Sequence, residues 1–146
     1  MARDWRRIHG SLFHRPSGAN RGQSGDHDAA LLLLEAAQAG IERTKERWFA
    51  AEILRLQGEV LLQLGEDKTG DSRDRLLDAL ATARAQGARF WELRAALSLV
   101  RADCPAPGAR ERLALIYSGF TEGLTLPDLQ AAQTLATTNE GLRAAN

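Results

Sequence analysis

The sequence predicts an all-α protein in which antiparallel helix pairs stack as a short solenoid of about six helices. Three observations carry that prediction. Ala, Leu and Arg dominate the composition and, like the Glu and Gln among them, lose little side-chain freedom in a helix, while aromatics make up only 5%. No run of alternating Val, Ile, Thr or Tyr bounded by turn pairs marks a strand. Helix-length segments are closed by Gly65, Gly87 and Gly123 or stop before Pro105 and Pro107, and Pro127 is placed to open the last of them.

The elements follow in order. Residues 1–25 hold Trp5-Arg6-Arg7-Ile8, then Pro16, Gly18, Gly22 and Gly25 among Ser, Asn, Arg and Gln. Such a stretch buries too little apolar surface to offset the entropy of ordering, so a flexible basic Gly/Arg-rich tail is expected. Ala29 to Arg43 reads as the first helix, with Asp26 or Asp28 available as N-cap. Arg47 to Leu64 is the second, closed by Gly65 in the left-handed C′ position. A polar loop over 66–70 leads to a third helix, Ser72 to Gln86. The fourth runs from Arg89 to Ala102 and ends before Cys104-Pro105-Ala106-Pro107-Gly108, and the fifth spans Ala109 to Glu122. The sixth starts at Pro127, where the missing N–H costs nothing, and fades near Thr138. The repeat domain is thus expected over 26–139, with 140–146 a flexible tail.

A formal net charge of zero argues against a general nucleic-acid or membrane-surface binder. Arg3, Arg6, Arg7, Arg15 and Arg21 stand against Asp4 alone at the start, which reads as a solvated terminus. A single cysteine, Cys104, excludes an internal disulfide and suits a reducing compartment. No stretch approaches the roughly 18 apolar residues of a membrane span, and the N-terminus lacks a signal-peptide core, so a cytoplasmic protein is expected.

No catalytic, metal or cofactor site is expected. His9 and His14 lack the Cys or His spacing that zinc requires, and Asp26-His27-Asp28 reads as a polar helix entry. Cys104 has no nearby His to activate it, and Glu66, Asp67 and Asp71 around Lys68 form a solvated turn rather than a calcium loop.

Spacing is the most informative feature. Shifted by 37 residues, Leu54 meets Trp91, Leu56 meets Leu93, Gly58 meets Ala95 and Leu62 meets Leu99. Ser72 then meets Ala109, Leu76 meets Leu113 and Ala79 meets Ile116. A shift of 43 sets Ala29, Leu33, Ala36 and Trp48 on Ser72, Leu76, Ala79 and Trp91. Each unit is a helix pair, with a small residue where two helices approach and bulky residues around it. Trp48, Trp91, Tyr117 and Phe120 are expected in the core, and Trp91→Ala to cost roughly 3–5 kcal/mol.

Leu54, Gly58 and Leu61 in one helix, and Ser72, Leu76 and Ala79 in the next, resemble the tetratricopeptide repeat. The sequence departs from that family in Gln57 where Leu is preferred, in a longer inter-helix loop and in lacking the helix-ending Pro. A narrower resemblance lies in ordered phrases: Glu46-Arg47-Trp48-Phe49-Ala50-Ala51-Glu52 with Arg55-Leu56-Gln57-Gly58-Glu59; Gln86-Gly87-Ala88 with Trp91 through Leu99; and Ile116-Tyr117, Phe120-Thr121-Glu122-Gly123 and Pro127-Asp128-Leu129. Over residues 28–136 these are similar to the C-terminal tetratricopeptide array of bacterial signalling proteins. Those proteins join a class III adenylate or guanylate cyclase domain, or a winged-helix domain, to a P-loop ATPase. The resemblance implies the repeat array and not the ATPase, since no Gly-x-x-x-x-Gly-Lys-Ser/Thr loop occurs.

The expected function is a non-catalytic protein–protein interaction scaffold of that kind; the alternative is a free-standing adaptor or self-associating helical protein with no signalling role. In tetratricopeptide arrays helix A lines the concave groove. By that resemblance the face for a protein or peptide partner would present Glu52, Arg55, Glu59 and Gln63, then Arg89, Glu92, Ala96 and Val100. Arg55→Glu with Arg89→Glu would then weaken partner capture and leave helicity intact. Leu31, Leu32, Leu33 and Leu34 on a first helix without a preceding partner would form an apolar edge through which the chain self-associates.

Overall fold

The computed structural model describes residues 21–45, 47–102 and 107–144. Among these residues six α-helices follow one another: α1 (Arg21–Thr44), α2 (Ala50–Leu64), α3 (Thr69–Ala85), α4 (Arg89–Arg101), α5 (Ala109–Ser118) and α6 (Pro127–Ala144). One-turn 3-10 segments at Arg47–Phe49 and Glu66–Lys68 precede α2 and α3. No strand occurs among the described residues, as the composition predicts.

The boundaries shift where local chemistry outweighs the simple reading. α1 begins at Arg21, so Asp26 and Asp28 lie inside the helix rather than capping it, and residues 21–25 leave the expected tail. Gly22 and Gly25 each cost about 1 kcal/mol in a helix, but extending an existing helix is cheap and the Ala/Leu run downstream supplies one. The 66–70 loop is instead a 3-10 turn running directly into α3. α5 stops at Ser118, short of the expected Glu122: Gly119 N donates to Ile116 O, Phe120 N donates to Tyr117 O, and Phe120 turns back onto the core. α6 continues past Thr138 to Ala144. The readings of residues 1–20, of Cys104 and its prolyl neighbour Pro105, and of residues 145–146 lie outside the described residues.

Gly87 ends α3 in the left-handed region at φ 65°, with Ala88 N bonded to Ala83 O and Gly87 N to Arg84 O. That pair of bonds is the Schellman closure, and it is why a residue without a Cβ belongs there. Gly65 also has positive φ, 143°, but outside the left-handed helical region.

Gln86 Nε2 at the end of α3 donates to Arg47 O just ahead of α2, while Ser72 Oγ near the start of α3 donates to Gly58 O beyond the middle of α2. The two helices therefore run antiparallel. Each helix packs on the next, and α2 also touches α4, as α4 touches α6. Pairings of Glu52 with Arg94 and of Arg55 with Ser98 advance together along both helices, so α2 and α4 run parallel.

Apolar burial divides into two clusters. Leu34, Ile53, Leu56 and Val60 join α1 to α2, while Leu76, Leu80, Leu93, Leu97, Leu113, Ile116 and Leu129, with small Ala residues, join α3 to α6. The expected small-residue crossing is present. A Cβ built on Gly58 would lie 2.7 Å from Leu76 Cγ and 3.1 Å from Ser72 O. Most of the 37-residue equivalences hold in burial: Leu56 with Leu93, and Leu76 with Leu113, are all fully enclosed, but Leu62 is half-buried where Leu99 is buried, and Ala109 half-buried where Ser72 is buried.

The 43-residue equivalence does not hold. Leu33 and Ala36 are exposed while Leu76 and Ala79 are buried. α1 turns inward one residue later, through Ala30, Leu34 and Ile41, so that Leu34 answers Leu76 at a shift of 42. Trp48 does not enter the core either: it is 66% exposed and packs edge-on against Phe49 at 4.7 Å between centroids. Trp91 is half-buried, with Phe49 edge-on at 5.5 Å, so the full-core cost expected for Trp91→Ala is too high. Trp48→Ala should change unfolding free energy by less than about 1 kcal/mol, as exposed substitutions do. A larger loss in urea denaturation would place this ring in a contact that its exposure denies.

Candidate functional site

The polar residues expected to line an open groove build instead a largely buried ionic network between alternate helices. α2 is enclosed around most of its circumference, with Ala51, Ile53, Leu56, Gly58, Val60 and Leu61 buried on several sides. Glu52, Arg55 and Glu59 recur on it at spacings of three and four, which aligns them on one face. That face meets α4.

Glu52, its side chain fully enclosed, accepts two hydrogen bonds from Arg55, Nε to Oε2 at 2.8 Å and Nη2 to Oε1 at 2.7 Å. Arg94 of α4 donates Nη1 to the same Oε1 at 2.6 Å and pairs through Nε with Asp128 in the first turn of α6 at 3.2 Å. Arg55 Nη1 also pairs with Glu59 and donates to Ser98 Oγ at 3.1 Å, and Ser98 in turn donates to Glu59 at 2.6 Å. Three carboxylates, two guanidinium groups and one hydroxyl thus tie α2, α4 and α6. The Arg94 guanidinium lies 5.5 Å from the centre of the Trp91 ring, a cation–π contact beside the network.

Burial alone would lower the Arg55 pKa, but the hydrogen bond to Glu52 and the charges of Glu59, Glu52 and Asp128 together outweigh it and raise the value. Arg94 goes the other way: burial and then the like charge of Arg55 lower it, against the partial offset of Glu52, Asp128 and Glu59. Both remain cations throughout the physiological range. With its guanidinium groups already engaged, the network is chemically a clamp between helices.

Placement of the expected groove residues corrects the groove reading. Glu52, Arg55 and Ala96 are buried, and Val100 packs against the core. Glu92 is taken up by Arg84 Nε at 3.0 Å, and Glu59 is held by Arg55 and Ser98. Gln63 and Arg89 are exposed, the Arg89 guanidinium lying over the bare backbone of Gly119 at the end of α5. Arg55→Glu therefore breaks an internal clamp and cannot serve as a surface-charge test. Arg94, Ser98 and Asp128 escaped the sequence reading, because no local spacing announces a partner on another helix. Charges on a helix that is otherwise apolar most of the way round were the available signal.

Among the described residues no group of three or more His, Cys, Asp or Glu is placed to hold a metal ion, and no helix is long and apolar enough to cross a membrane. No family model matches the chain, nor does any curated protein or solved structure.

Proposed function

We propose that the chain is a non-catalytic protein–protein interaction scaffold whose helix pairs stack as tetratricopeptide-like units, similar to the C-terminal repeat region of a bacterial cyclase- or ATPase-linked signalling regulator. The observation that carries this reading is the contact of alternate helices, α2 with α4 and α4 with α6, in addition to successive ones. In a stack of helix pairs the first helix of each unit meets its counterpart in the next, and each unit buries its apolar stripe only against neighbours. The separate α1–α2 cluster supports the same reading. The test is affinity capture from the source cell with quantitative mass spectrometry, paired with assay of the nearest P-loop ATPase encoded beside the gene. A captured ATPase whose turnover falls when the chain is added supports the signalling role. Unchanged turnover sinks that role, and no enriched protein sinks the scaffold.

A specific observation favours a second reading, self-association through α1. Leu32 and Leu33 are 66% and 58% exposed, and with Ala29, Ala36 and Gly40 they form an apolar stripe at helical spacing. Leu32→Glu with Leu33→Glu should convert a concentration-dependent dimer into a monomer in sedimentation experiments without loss of helicity. A wild-type chain that sediments as a monomer at every concentration would remove this reading.

A further inference from the structure

Between α1, α2 and α3 lies an open groove of about 320 Å³, lined by Leu31 and Glu35 of α1, Gln57 and Leu61 of α2, and Asp71, Asp74, Arg75 and Asp78 of α3. Its walls are chemically one-sided, with four carboxylates against one guanidinium. Asp71 has an alternative explanation, because an acidic group in the first turn of a helix interacts favourably with the backbone dipole, and Asp71 and Asp74 each have a loose ionic neighbour, in Lys68 and Arg73. Asp78 in mid-helix and Glu35 on a different helix have neither, and neither forms an ion pair among the described residues.

At the base of the groove is Gln57, 1% exposed. Its Nε2 donates to Gln38 Oε1 at 3.0 Å, while its Oε1 is buried without a hydrogen-bond partner. An unpaired buried acceptor costs on the order of 1–3 kcal/mol, so such a group is uncommon unless something supplies a donor. Tetratricopeptide helices favour Leu at the Gln57 position; here an amide stands there, with a carboxylate-lined opening above it.

We propose that this groove binds a cationic nitrogen group, the guanidinium or ammonium end of an Arg or Lys side chain carried by a basic peptide segment, with Gln57 Oε1 accepting a hydrogen bond at the base and Glu35 and Asp78 balancing the charge at the rim. The volume sits at the small end of ligand pockets, about 300–1,000 Å³, and suits one long side chain. Leu31 and Leu61 flank the apolar stem of such a side chain, and the carboxylates meet its head. The peptide source rests on the interaction-scaffold reading.

The test is two-dimensional NMR titration of the full chain, following the Gln57 side-chain amide. The probes are a short acetylated and amidated Arg/Lys peptide, the same peptide with Ala in place of Arg and Lys, and spermidine. Because residues 1–20 carry arginines of their own, each titration is repeated on a chain with Arg3, Arg6, Arg7 and Arg15 replaced by Gln. The basic peptide should shift the Gln57 amide saturably in at least one form, and the Ala peptide should not. Glu35→Gln with Asp78→Asn, both exposed positions, should weaken binding up to about tenfold, the combined weight of two surface ion pairs. Gln57→Leu should abolish the interaction while the chain stays folded by circular dichroism. No shift at Gln57 in either form, an equal shift with the Ala peptide, or unchanged affinity in the double variant would overturn the proposal. Tighter binding of spermidine than of the peptide would overturn the side-chain source. A partner captured from cells with no response at Gln57 would remove this site and leave the scaffold reading standing.

Discussion

Glu52→Ala is expected to destabilise the protein by about 3–5 kcal/mol, enough to unfold much of a marginally stable domain. Arg55 and Arg94 converge on a single carboxylate oxygen, at 2.7 and 2.6 Å. Removing that carboxylate leaves two like charges enclosed together, with only Glu59 and Asp128 near the edge of the network to balance them. The cost is dominated by the uncompensated cations rather than by the worth of the ion pairs. A companion variant separates these effects. Changing Glu52, Arg55 and Arg94 together to Leu, Leu and Met removes every enclosed charge at the centre, and most of the lost stability should return, since apolar groups of similar size often replace a buried ionic cluster without penalty. Urea denaturation followed by circular dichroism measures both. If Glu52→Ala cost under about 1 kcal/mol, water would be reaching the guanidinium groups and the network would be a surface feature. High salt should change the wild-type midpoint little, because enclosed pairs are poorly screened.

Leu76→Ala is expected to cost about 2–5 kcal/mol, the range for emptying a well-packed core position. Leu76 is fully enclosed and lies against the bare backbone of Gly58, which lets α2 and α3 approach. Gly58→Ala places a methyl group within 2.8 Å of two Leu76 carbons, so overpacking of about 1–3 kcal/mol competes with about 1 kcal/mol of improved helix propensity. Combining the changes is the sharper experiment. In Leu76→Ala the space above Gly58 is vacated, so the added methyl fills part of the cavity, and the double variant should lose less than the sum of the singles by about 0.5–3 kcal/mol. Strict additivity would show that the two helices do not meet at this point.

Much of the helical layout was legible because glycine, proline and apolar periodicity act locally. That Gly58 marks a close helix crossing was readable from the matching of small with small residues, Gly58 with Ala95, across a 37-residue shift, whereas Leu76 as the residue above it came only from the packing. The candidate groove was not. Glu52, Arg55 and Glu59 look the same in sequence whether they face water or a neighbouring helix, and the partners that enclose them, Arg94, Ser98 and Asp128, lie roughly 40 or more residues away. Gln57 showed itself as a departure from the repeat pattern, but its unpaired oxygen depends on where α1 and α3 settle.

By itself the sequence determined the all-α class and, among the described residues, six helices and most of their ends, because backbone propensity, capping geometry and amphipathic spacing are properties of short segments. Tertiary structure alone decided which way α1 faces. Four consecutive leucines, Leu31 to Leu34, point around the whole circumference of a helix, so no periodicity in that run selects an inward side. Packing against Ile53, Leu56 and Val60 selected Leu34 and left Leu32 and Leu33 in solvent. The same holds for the charges on α2. Whether a guanidinium is a surface group or an internal clamp is settled by what approaches it from another helix, and that information is spread over the whole chain.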